Sequence, residues 1–165
     1  MSAVDALWEK RSADLWNSID DYDAEAFVAK IEALAAELPP GSAVALFERG
    51  CAQDSTGHPD RAVPLYRAAI DAGLAGIRRR RATIQMASSL RNLGNPGEAV
   101  RLLTRELEQP SDELDGAVRA FLALALVDAG REREAVAESL TALSRYLPRY
   151  NRSLARYAKA LVDGK

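Results

Sequence analysis

Three stretches of this chain carry the same residues at nearly the same interval. In the segments "STGHPDRAVPLYRAAI", "NLGNPGEAVRLLTREL" and "DAGREREAVAESLTAL", glycines fall at Gly57, Gly94 and Gly130, and Ala-Val pairs begin at Ala62, Ala99 and Ala135. Both markers step by 37 and then 36 residues. Markers that stay in step imply one supersecondary unit used repeatedly, because a single unit cannot bury its own apolar face. Upstream of each glycine stands an apolar pattern of helical period: "AVALFERGCAQDSTG", "RATIQMASSLRNLG" and "AVRAFLALALVDAG". Each unit therefore reads as helix, tight turn, helix.

The residue types at the markers fit that reading. Each glycine stands where a helix must end, often with positive φ, which costs glycine nothing. Asn95-Pro96-Gly97-Glu98 offers a side-chain cap and a proline at the first helical position, and His58-Pro59 is a weaker version. Gly50, Ala87 and Ala123 let two helices approach closely, while Tyr66, Ile70, Leu103, Leu107 and Leu143 are expected to fill the space between units.

These motifs resemble the tetratricopeptide repeat, whose unit carries glycine in its first helix and A-x3-F in its second. Gly50 followed by Ala62, Tyr66 and Ala69 is the best match, and the other units keep Ala99 and Ala135 with Ala142. The run "RRRRATIQMASSLRNLG" is also similar to the small bacterial proteins grouped as tetratrico-peptide-repeat group 5. The chain departs from the pattern in lacking the usual tryptophan, in Glu106 for a small residue and in Ser139 for the aromatic. The expected fold is an all-α, right-handed helical solenoid within a single domain. It comprises a degenerate N-terminal helical pair over 5–38, repeats over 43–75, 80–110 and 114–147, and a capping helix over 149–162. The resemblance implies a groove, lined by the first helices of the repeats, that holds a peptide or helix of a partner.

Composition removes most other functions. With 165 residues, 48% hydrophobic, the chain can bury one substantial core. Asp5 and Glu9 stand where a secretory signal would be basic, and no apolar run approaches membrane-spanning length, so a cytoplasmic protein that does not bind membranes is expected. One cysteine, Cys51, and one histidine, His58, leave little for metal or triad chemistry, and no phosphate-cradling glycine loop is present. Neither an enzyme nor a cofactor or metal site is expected. Aromatic content of 6% and a sequence pI near 5.5 argue against nucleic acid.

Charge is unevenly spread. Lys and Arg number 4 against 12 Asp and Glu over residues 1–60, but 9 against 4 over 61–109. The basic middle includes Arg78, Arg79, Arg80 and Arg81 at the start of a helix, where the helix dipole disfavours positive charge by about 0.3–1 kcal/mol each. Asp54, Asp60, Asp71 or the acidic N-terminal helices are the expected internal partners. Arg81, Gln85, Ser88 and Asn92 are spaced four, three and four residues apart and share one polar stripe, whereas Thr83, Met86, Leu90 and Leu93 mark the packing side. Equivalent positions are Val44, Glu48, Cys51 and Ser55 in the first unit and Ala117, Phe121, Leu124 and Asp128 in the third. The candidate partner-binding residues are thus Arg81, Gln85, Ser88, Arg91, Asn92, Phe121 and Leu124, with an acidic protein or peptide as partner and Arg78 and Arg79 mattering less. Two alternatives stay open. One is a regulatory domain sensing a small anion through Arg81, Gln85, Ser88 and Arg91. The other is a self-assembling homo-oligomer whose groove is filled by its own terminal helices.

Overall fold

The computed structural model describes residues 5–163. Among them run nine α-helices and one 3-10 turn, without a strand: α1 (Ala6–Asn17), α2 (Ala24–Ala35), α3 (Ala43–Ser55), α4 (Pro59–Asp71), α5 (Gly76–Asn92), α6 (Pro96–Leu107), α7 (Asp115–Asp128), α8 (Glu132–Ser144) and α9 (Asn151–Ala160). Three helix pairs, α3–α4, α5–α6 and α7–α8, coincide with the three sequence units. The second pair starts earlier than residue 80, because Gly76, at φ 59°, opens α5 soon after α4 ends. The whole arginine run therefore lies inside α5. Two compact units divide between Ala82 and Thr83, within that helix and not at a linker.

Why the two sequence markers keep step is visible in the turns. Gly57, Gly94 and Gly130 have φ of 83°, 80° and 71°. The residue after each sends its N–H back five positions: His58 to Gln53 at 2.8 Å, Asn95 to Leu90 at 2.9 Å, Arg131 to Leu126 at 2.8 Å. Its carbonyl then accepts the first bond of the next helix, from Ala62 at 3.0 Å, Ala99 at 3.3 Å and Ala135 at 3.0 Å. One residue thus closes one helix and opens the next through its backbone alone, a closure that a left-handed glycine permits.

The side-chain caps expected at these turns do not form. Neither His58 nor Asn95 caps its helix, and the Asn95 amide instead approaches the Leu93 carbonyl at 3.4 Å. Their ψ values of 64° and 52° lie outside the extended region from which a side chain reaches the first-turn N–H groups. Asp5, Asp23 and Ser42, with ψ between 123° and 163°, do cap α1, α2 and α3.

In the first unit, Phe27 and Ile31 of α2 pack against Ala52 of α3, with Trp16 of α1 edge-on to Phe27 at 5.0 Å. Ala62, Tyr66 and Ala69 of α4 are fully buried. In the second unit the same places hold Ala99 and Leu103 of α6, buried like Val118, Leu122 and Leu126 of α7 and Ala158 of α9. Two expected core residues are surface residues. Leu143, on α8, is 48% exposed, and Leu93, which lies past the last turn of α5, is 41% exposed.

Candidate partner-binding site

A helix advances about 100° per residue, so four consecutive arginines cannot share one environment. Arg80 is buried, Arg78 and Arg79 are half-buried, and Arg81 is exposed. The Arg81 guanidinium sits over the ring of Phe47 of α3, 5.3 Å from its centroid, where the ring face attracts the cation. Arg78 forms a two-pronged ion pair with Glu9 of α1, one prong being Nη1 to Oε1 at 2.9 Å, and its Nε stands 3.7 Å from Glu48 Oε1. On the other oxygen of Glu48, the indole N–H of Trp16 donates at 2.7 Å. Helix α1 thereby touches both α3 and α5. Of the internal partners expected for the arginines, the acidic N-terminal helix supplies this one.

Burial raises the pKa of Glu48, and the Trp16 hydrogen bond and the Arg78 charge oppose that shift. The hydrogen bonds that Arg78 donates to Glu9 raise the pKa of Arg78. The cluster is therefore built on an acid whose charged form is costly to bury, a cost that an indole and a shared cation offset in part.

Arg78 needs a correction in register. Its distance of three residues from Arg81 continues the stripe, so the sequence Arg78, Arg81, Gln85, Ser88, Asn92 follows one side of α5. The stripe counted from Arg81 onward left Arg78 out, and the pairing of Glu9 with Arg78 and of Trp16 with Glu48 was not among the expectations. A signal for them existed: Glu9 and Trp16 are seven residues apart, two helical turns, and so share a face of α1.

Along the rest of α5, Gln85 and Ser88 are half-buried and Asn92 is exposed. Arg91 is ion-paired with Asp128 of α7. Phe121 of α7 is half-buried, and Leu124 is 46% exposed. Leu124 opens onto a surface pocket of about 520 Å³ that it shares with Val127 of α7 and with Val136, Ser139 and Leu140 of α8. The pocket has a sequence cause. Four residues after the repeat alanine stand Tyr66, Leu103 and Ser139 in the three units; the first two are fully buried, and the serine, too small to fill its place, bonds back to the Ala135 carbonyl at 2.9 Å. Cys51, equivalent to Ser88, is buried.

A chain of helix pairs joined by identical glycine turns, each with a small residue at the crossing, is a helical-repeat protein. Residues 43–161 match the family model described as tetratrico peptide repeat, TPR_5, and the chain belongs to that family. Repeats of this kind are generally protein-interaction modules and generally not enzymes. No curated protein and no solved structure matches the chain. No described helix is long and apolar enough to cross a membrane. Helices α1 and α2 precede the matched region.

Proposed function

We propose that the protein is a non-catalytic scaffold or adaptor of the cytoplasm that holds an acidic peptide or helix of a partner protein against the first helices of its repeats. Arg81, Gln85, Ser88, Arg91 and Asn92 form the polar face along α5, and Phe121 and Leu124 of α7 supply apolar contact. The observation that carries this reading is the state of Arg81: in a run whose other members are wholly or half buried, it alone is exposed, and the Phe47 ring beneath it fixes its direction. A planar guanidinium held in place receives a carboxylate through two parallel bonds.

Capture from lysate of the source cell, followed by titration of the purified partner, tests this. Arg81→Glu should weaken binding by about ten-fold or more and reduce its salt dependence, since one charge-assisted pair is worth about 1.5–3 kcal/mol. Leu124→Ser should weaken it without changing the salt dependence. A partner that binds both folded variants as it binds the wild type contradicts the proposal.

Small-anion sensing has less support, because Arg91 is already neutralised by Asp128. Self-association has a specific observation in its favour, the apolar pocket around Leu124, Val127 and Val136. Sedimentation of the wild type against Val136→Glu separates it from partner binding: only a pocket-mediated dimer is lost in that variant.

A further inference from the structure

Helix α1 is placed as a bound ligand would be. Its Glu9 meets Arg78 on the α5 stripe, and its Trp16 meets Glu48, the α3 residue equivalent to Gln85. Each of these contacts is polar, and both use residues on one face of α1, two turns apart. Its apolar packing is confined to one side: Trp8 and Ser12 are buried, and Leu15 and Trp16 pack against the Phe27, Ile31 and Ala52 cluster, while eight of the other residues are left outside it. A helix serving only to cap a repeat would cover the stripe with apolar side chains, because a buried carboxylate is no more stabilising than a well-packed apolar replacement. Here the receiving surface instead holds a buried acid and a cation, each with a hydrogen-bonding partner on α1. The helix also lies outside the residues that match the repeat family.

We infer that α1 is a displaceable intramolecular ligand, and that the surface it covers on α3 and the start of α5 is a site for a partner's amphipathic helix carrying a carboxylate two turns before a tryptophan. The inference rests on the first helices being the binding face, and it adds the chemistry of the partner and the element that regulates access. The partner's carboxylate takes the place of Glu9 on Arg78, and its indole takes the place of Trp16 on Glu48. Until then the tether keeps α1 in place, since a short linker gives a local concentration in the millimolar range.

The test uses a fluorescein-labelled peptide with the sequence of residues 5–18, DALWEKRSADLWNS, and full-length protein. Both tryptophans of the chain, Trp8 and Trp16, lie on α1, so intrinsic emission reports on α1 alone. In Glu9→Arg, repulsion from Arg78 should loosen α1, shift emission to the red and tighten peptide binding at least about ten-fold relative to wild type. Arg78→Glu should refuse this peptide and accept its Glu9→Arg counterpart. A helical Glu9→Arg protein with red-shifted emission that does not bind the peptide overturns the inference, as does equal binding of both peptides to Arg78→Glu. If Glu9→Arg does not fold, the reversed pair of Arg78→Glu protein and Glu9→Arg peptide decides alone, and its failure to bind overturns the inference. Dimerisation of the opened protein in place of peptide binding also overturns it, by making a second copy the target. Should the peptide fail while partner capture still depends on Arg81, α1 is a cap and the interaction face along α5 stands.

Discussion

Trp16 of α1 donates its indole N–H to Glu48 of α3 at 2.7 Å, joining two residues 32 positions apart around a carboxylate whose side chain is only 6% exposed. Arg78 stands on the other carboxylate oxygen at 3.7 Å and is itself bound to Glu9. Three helices thus meet at one buried acid.

That acid should make stability depend on pH in a particular direction. Burial raises the pKa of Glu48 in the folded chain, so its contribution is fully present below the ordinary carboxylate value of about 4.3 and is lost as pH rises through the raised folded value. Glu48→Gln keeps an acceptor for Trp16 and removes the titration. Urea midpoints measured from about pH 4 to pH 7 should then fall less with rising pH in the variant than in the wild type. Parallel profiles would mean that Glu48 does not titrate in this range.

The crossing of α3 and α4 is set by Gly50. A Cβ there would stand 2.9 Å from two carbons of the fully buried Tyr66 ring. Gly50→Ala gains about 0.5–1 kcal/mol of helix propensity but forces apart a packed contact, at about 1–3 kcal/mol, so net destabilisation is expected. Tyr66→Phe should not rescue it, because ring carbons and not the hydroxyl are in the way, whereas Tyr66→Leu should rescue it in part. A Gly50→Ala protein more stable than wild type would contradict this contact.

The repeat, its turns and its crossing residues were legible in the sequence because backbone geometry imposes them. Gly57, Gly94 and Gly130 recur since only a left-handed residue lets the following N–H reach back five positions. Leu143 and Leu93 misled because helical period marks which side of a helix a residue takes, not whether another element covers it. The candidate site was less legible. Arg81 could be placed on the stripe by counting, but the Arg78 pairing depends on Glu9, 69 residues earlier, and no local pattern carries contacts over such a separation.

Ser139 leaves unfilled the place taken by Tyr66 and Leu103 in the other units. Ser139→Leu should fill part of the pocket beside Leu124 and raise stability by about 0.5–2 kcal/mol, the usual range for filling a cavity. The same change should weaken any ligand that uses Leu124. Thermal unfolding and partner titration of this variant check both effects, and an unchanged or lowered midpoint would show that the serine position is not a packing defect.

Asp115, the first residue of α7, accepts a hydrogen bond from the Ser111 hydroxyl at 2.5 Å and another from Arg145 at 3.0 Å, which hold its pKa down at about 2. A lowered pKa stabilises the fold above the ordinary carboxylate value, and the contribution is lost as pH falls from about 4 toward 2. Ser111→Ala removes the largest cause, so its acid-unfolding midpoint should lie at higher pH than that of the wild type. Coincident acid transitions would assign the shift elsewhere.

Photocrosslinking shows whether a partner lies along the first helices of the repeats. A photoreactive diazirine residue is placed at Ser88 on α5 in one full-length protein and at Thr104, exposed on α6, in another. Irradiation in the source cell and mass spectrometry of the products then show which helix the partner touches. Ser88 should crosslink to a defined segment of the partner, Thr104 should not, and adding Arg81→Glu to the Ser88 protein should abolish the product. A product from Thr104 alone, or one from Ser88 that survives Arg81→Glu, would contradict that placement of the partner.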